Sequence, residues 1–142
     1  MLKIRVKYFN DADPIHITDI GDWIDLKARE TFLFKKGEYK AIPLGVAMQL
    51  PENYQAIVAP RSSLFKNHGL ICANSFGVID ESYCGNSDEW HFLVYATRPT
   101  MVWKGERICQ FRLLEKTEPV AIDVVDFLDN PDRGGIGSTG RM

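Results

Sequence analysis

A period of two, not 3.6, runs through this chain and narrows its fold before anything else does. Leu2, Ile4 and Val6 alternate with Lys3, Arg5 and Lys7, the pattern of a strand with one face buried. Further β-rich runs follow: TFLF (31–34), YKAI (39–42), YQAIVA (54–59), GVID (77–80), WHFLVYA (90–96), RICQFRLL (107–114) and VAIDVVDFL (120–128). Turn signals separate them at Lys36-Gly37, Pro51-Glu52-Asn53, Cys84-Gly85-Asn86 and Lys104-Gly105. Short strands spaced about 8–12 residues apart predict an all-β sandwich, jelly roll or barrel. The single helical signal is SSLFKN (62–67), with Ser62 able to cap its start and Gly69 just past its end.

At 142 residues the chain is long enough for one such domain. Seventeen Lys and Arg oppose nineteen Asp and Glu, a formal net charge of −2. That balance excludes nucleic-acid binding through bulk positive charge but leaves room for a local anion site. No apolar run approaches the roughly 18–20 residues of a membrane span, and MLKIRVKYFN has no signal-peptide apolar region. The three cysteines, Cys72, Cys84 and Cys109, show no CxxC spacing. Reduced thiols in a cytoplasmic protein, with no nucleic-acid or membrane partner, are the expectation.

Four segments could carry chemistry. Pro60-Arg61-Ser62-Ser63-Leu64 puts a guanidinium and two hydroxyls at a helix start, where an anion is favoured; a capped surface turn is the alternative. Asn74 to Gly85 reads as strand, turn, strand. Asp80 follows the apolar pair Val78-Ile79, so it is either a general base at a pocket edge or a turn-former. In the run 104–111, Gln110 lies amid apolar neighbours and needs either a cross-strand partner or a ligand. The tail holds Gly135-Ile136-Gly137-Ser138-Thr139-Gly140, a literal GxGxxG with only two residues after it. A dinucleotide loop needs a following helix, so that reading fails. Either close backbone approach to phosphate or a plain mobile arm remains.

In this order, the segments resemble the trimeric dUTPases. That family carries five ordered motifs, matched here by WIDLKA (23–28), PRSSLFKNHGL (60–70), NSFGVIDESYCG (74–85), KGERICQF (104–111) and RGGIGSTG (133–140). The stretch DEWHFLVYATR (88–98) is similar to a branch found in Gram-positive bacteria and phages.

The resemblance implies a jelly-roll-like β-barrel over residues 1–128 and a Gly-rich swapped arm over 129–142. It also implies a homotrimer whose active sites are built from three chains. It implies hydrolysis of dUTP to dUMP and pyrophosphate with Mg²⁺ across the triphosphate, limiting uracil incorporation into DNA and supplying dUMP for thymidylate synthesis. Asp80 would activate the water. Tyr83 would lie under the deoxyribose and exclude a 2′-hydroxyl. Asn74 and the backbone around Val78, Ile79 and Tyr83 would read uracil. Arg61, Ser62, Ser63 and Gln110 would hold phosphates, and Asp25 would support the metal through water. Arg133, Ile136, Gly137, Ser138 and Thr139 would close over the nucleotide.

The sequence departs from the family pattern at three places. Asp22-Trp23-Ile24 stands where Ala-Gly-Tyr is usual, Ser82 replaces an acidic residue, and Ile136 replaces an aromatic. Three other readings compete. A dCTP deaminase, alone or bifunctional, would need a glutamate poised at the base, with Glu81 and Glu106 as candidates. A dUTP-gated binding or signalling module and a purely structural jelly roll are the others.

Overall fold

A computed structural model describes residues 1–18, 21–137 and 140. Eleven strands and one short helix form among them. The strands are β1 (Arg5–Tyr8), β2 (Ile24–Lys27), β3 (Phe32–Phe34), β4 (Tyr39–Pro43), β5 (Val46–Gln49) and β6 (Tyr54–Pro60). After helix α1 (Leu64–His68) come β7 (Leu70–Cys72), β8 (Gly77–Ile79), β9 (His91–Ala96), β10 (Thr100–Val102) and β11 (Arg107–Glu115). The fold is all-β and jelly-roll-like.

Every strand pairing is antiparallel. A four-stranded sheet runs β2-β11-β6-β8, a three-stranded sheet runs β4-β9-β7, and two ribbons pair β1 with β5 and β3 with β10. Alternation puts Phe92, Val94 and Ala96 of β9 inward while His91 and Tyr95 face out. The inward sets meet in one core, where Trp90 packs edge-on against Phe111 with ring centroids 5.2 Å apart. Long-range pairing of this kind is what a period-two sequence demands, because no strand can bury its apolar face alone.

Two local devices shape the region that carries the candidate residues. In the β2–β11 ladder, Arg107 faces Lys27 and Cys109 faces Leu26, so Ile108 is an extra residue, a β-bulge. The bulge leaves the Ile108 carbonyl to accept the Arg61 N–H at 3.4 Å. The helix is shorter than its sequence signal: it starts at Leu64, Ser63 is its N-cap residue, and no side chain caps it. Gly69 does end it, with φ of +63° and its N–H donating to the Phe65 carbonyl.

The run 120–128 departs from its strand-like pattern. The regular elements end at Glu115, and Val120, Ile122, Val124, Phe127 and Leu128 stand largely exposed. A strand needs a partner edge, and this segment finds none among the described residues. All three cysteines carry free thiols. No helix among the described residues is long and apolar enough to cross a membrane.

Candidate active site

The site begins with a tight turn. Ser75 takes a positive φ of +65°, and the Phe76 N–H donates to the Asn74 carbonyl at 2.7 Å. This turn carries the chain from β7 in one sheet to β8 in the other, where β8 pairs with β6 through Ala56, Ile57 and Val58. Gly77 lets β8 lie close to β6 there, since a Cβ at this position would stand 3.3 Å from the Val58 Cβ. The irregular segment 80–90 then leads into β9. Together these elements enclose a cleft of about 440 Å³, walled by Asn74, Val78, Ile79, Asp80 and Tyr83 and backed by the buried ring of Trp90.

Asp80 stands at the cleft with its carboxylate in solvent. Its Oδ2 accepts the Ser82 hydroxyl and the Ser82 N–H, the latter at 2.8 Å. Its Oδ1 has no hydrogen-bond partner among the described residues. The Ser82 hydroxyl, then the Ser82 N–H, with a smaller contribution from the Lys116 charge, hold the Asp80 carboxyl below the usual range. Asp80 is therefore an ionised acceptor with one oxygen clamped and the other open.

Tyr83 is fixed at both ends. Its N–H donates to the Asp80 carbonyl at 3.0 Å and its hydroxyl to the Glu89 carbonyl at 2.9 Å. Partial burial raises the phenol pKa above its ordinary value, helped by the negative charges of Asp88 and Glu89. The Asn74 side-chain oxygen accepts the Cys72 thiol at 3.1 Å.

A second grouping forms where β2, β11 and the start of α1 meet. Asp25 holds two guanidiniums, Arg61 Nε at 3.3 Å and Arg107 Nη1 at 3.5 Å. Asp25 and Gln110 are direct cross-strand partners, and Gln110 Nε2 donates to the Pro60 carbonyl at 3.2 Å. Gln110 thus has the cross-strand partner its apolar surroundings call for, with its side-chain oxygen left available. Ser62 is exposed and Ser63 half-buried just before α1. None of Asp25, Arg61, Ser62, Ser63 or Gln110 lines the hairpin cleft.

The tail joins neither grouping among the described residues. Arg133, Ile136 and Gly137 are exposed, and no atom lies within 4 Å of where a Cβ of Gly135 or Gly137 would stand. Ser138 and Thr139 fall outside the described residues. The glutamates are engaged elsewhere. Glu81 accepts the Asn53 N–H at 2.9 Å and Lys116 Nζ at 3.0 Å. Glu106 contacts His68 at 2.7 Å and accepts the Trp103 N–H at 3.0 Å.

No group of three or more His, Cys, Asp or Glu side chains able to hold a metal ion occurs among the described residues. Both Asp25 oxygens face arginines, so a cation here would need oxygens from a ligand. Mg²⁺ suits that arrangement, since it keeps several waters and binds through one or two carboxylates plus substrate phosphates.

Sequence reasoning missed Glu89 and Ser82. A charged residue directly before the apolar run 90–96 was the available signal for Glu89. For Ser82 the signal was its place two residues after Asp80, the offset at which an Asx turn closes.

The family model for dUTPase matches residues 23–140. An SPbeta prophage-derived deoxyuridine 5′-triphosphate nucleotidohydrolase of Bacillus subtilis (strain 168) is 54% identical over 140 residues, covering 98% of this chain and 99% of its own. Among solved structures, a Staphylococcus bacteriophage 80alpha dUTPase variant with dUpNHpp superposes with a TM-score of 0.81 at 19% identity, over 97% of this chain and 98% of that one. A phage phi11 dUTPase variant, described with a structural Mg(II) ion, gives a TM-score of 0.78 at 16% identity, over 88% and 98%.

Proposed function

Because the chain belongs to the dUTPase family and is a dUTP diphosphatase, we propose that Asp80 is its general base and that neighbouring chains share each active site. The observation that carries the first part is the Asp80 carboxylate at the cleft mouth, ionised, with Oδ2 held by Ser82 and Oδ1 open. A water bound at Oδ1 loses its proton to the carboxylate as its oxygen bonds to the α-phosphorus. The bond from that phosphorus to the α,β-bridging oxygen breaks, and pyrophosphate leaves with the electron pair. Phosphoryl-group hydrolysis needs positioning and charge neutralisation more than covalent catalysis, so no protein nucleophile is required.

The remaining roles follow from the groupings. Asn74 and the backbone of Val78, Ile79 and Tyr83 read the uracil edge, and the Tyr83 ring packs under the deoxyribose. Arg61, Ser62, Ser63 and Gln110 hold phosphates. Arg133, Ile136, Gly137, Ser138 and Thr139 close over the nucleotide. When bound, Mg²⁺ supplies charge neutralisation at the triphosphate, with Asp25 reaching it through water; the phi11 relative's structural Mg(II) ion supports a divalent cation in this family. The dUMP formed feeds thymidylate synthesis, and removal of dUTP limits uracil in DNA.

Sharing between chains, as a homotrimer, is supported by three features. The hairpin cleft and the Arg61–Asp25 grouping have no lining residue in common. The described tail residues meet neither. The apolar run 120–128 is uncovered, while an apolar groove of about 340 Å³ lined by Ile4, Ile15, Ile24 and Leu113 is unfilled. Deamination is disfavoured because Glu81 and Glu106 are both committed to structural contacts.

The test is pyrophosphate release from dUTP with Mg²⁺, comparing the wild type with Asp80→Asn. Loss of a general base costs on the order of 10²–10⁴-fold in kcat. An Asp80→Asn protein with full activity would refute the assignment.

A further inference from the structure

Glu89 is the one charged side chain buried among the described residues, at 8% exposure. A buried carboxylate is retained only with good donors around it. Three donors meet Glu89. Arg29 approaches with Nε at 2.8 Å and Nη2 at 3.2 Å, a two-pronged contact, and the Gly45 N–H donates at 2.9 Å. Gly45 can come this close because it has no side chain: a Cβ there would sit 2.5 Å from the Ala12 Cβ, at a φ of +74°. The next residue, Trp90, is laced to the same turn, its N–H donating to the Val46 carbonyl and its carbonyl accepting the Leu44 N–H. The backbone at Glu89 is thereby anchored to the barrel on two sides.

That anchored backbone serves the cleft. The Glu89 carbonyl accepts the Tyr83 hydroxyl and the Nδ1–H of His91, each at 2.9 Å. Tyr83 itself stands in a segment without regular structure, 38% exposed. Among the described residues, its hydroxyl bond is the one hydrogen bond that holds the ring. A ring that rejects a ligand by one hydroxyl must be immobile, because a wall that yields by a few tenths of an ångström excludes nothing.

We infer that Glu89, clamped by Arg29 and Gly45, is a positioning residue that locks the Tyr83 ring and so sets the preference for deoxyribose over ribose nucleotides. The inference rests on the sugar-side role proposed above for Tyr83. The clamp acts only through the Glu89 carbonyl and touches no substrate atom.

The test compares kcat/KM for dUTP and UTP in Tyr83→Ala, Tyr83→Phe, Glu89→Gln and Arg29→Lys, with melting temperature recorded for each. Tyr83→Phe removes only the hydroxyl bond, and its dUTP-over-UTP ratio falls about three- to tenfold, the worth of one hydrogen bond. Glu89→Gln and Arg29→Lys lower the ratio in the same direction, through better turnover of UTP relative to dUTP. If Glu89→Gln fails to fold, Arg29→Lys and Tyr83→Phe decide. Clamp variants that melt earlier yet keep the wild-type ratio mark a purely structural pair and overturn the inference. So does a wild-type ratio in Tyr83→Phe alongside a collapsed ratio in Tyr83→Ala, which leaves the sugar-side role of Tyr83 standing. An unchanged ratio in Tyr83→Ala overturns that role and the inference with it.

Discussion

Ser82 sets the ionisation of Asp80, the base proposed above. Two bonds from one neighbour occupy Oδ2 and hold the carboxyl below its ordinary range. The direction of the pH effect follows. A base works only when ionised, so activity is lost as pH falls through its pKa. A lowered pKa carries the acid limb of the profile to lower pH. Ser82→Ala removes the larger of the two bonds, and the acid limb of kcat/KM then moves to higher pH. A profile superimposable on the wild type would show that the hydroxyl does not act on the base. The candidacy of Asp80 was legible from its place after Val78-Ile79, but its partner was not. A serine in a turn carries no mark of the acceptor it will find until the turn closes.

At the scale of elements, the apolar runs marked β4, β6, β9 and β11 to within a residue, because each is long enough to show a period, and placed the start of β1 three residues early. The strands β2, β5, β7 and β10 went unmarked. Each has three or four residues, too few to show a period, and β5 is largely buried, whereas the equally short β3 and β8 lie inside the apolar runs TFLF and GVID. The run 120–128 shows the opposite failure: the pattern is present, but pairing is a property of two strands and no partner for it occurs among the described residues. Turns are as constraining as strands. Gly45→Ala would force a left-handed φ on a residue with a side chain and push a methyl into Ala12. The expected loss is at least about 1–2 kcal/mol, read as a lower melting temperature. Unaltered melting would mean that the turn relaxes freely. In the tail, Ile136 is fully exposed and covers nothing among the described residues. If it closes over the base, Ile136→Phe adds ring stacking and lowers KM for dUTP. An unchanged or higher KM would count against packing of the tail on uracil.

For the whole molecule, net charge was a poor guide to a triphosphate site. A formal charge of −2 coexists with the Arg61–Asp25–Arg107 grouping and the exposed Arg133, because the cations that matter are few and local. The fold class and the order of the candidate segments could be read from the sequence. Their distribution over separate surfaces could not, since it depends on which strand edge each segment meets. That distribution gives the account its central claim: Asp80 of one chain works with the tail of another. The direct measurement mixes two inactive proteins, Asp80→Asn and a chain truncated after Asn130, and refolds them together. Each supplies what the other lacks, and random trimers place an intact Asp80 and an intact tail at the same site in about a quarter of sites. Recovery of about a quarter of the dUTPase activity of wild type refolded in parallel is the expected result. A mixture that stays inactive while the wild type recovers would contradict the shared site.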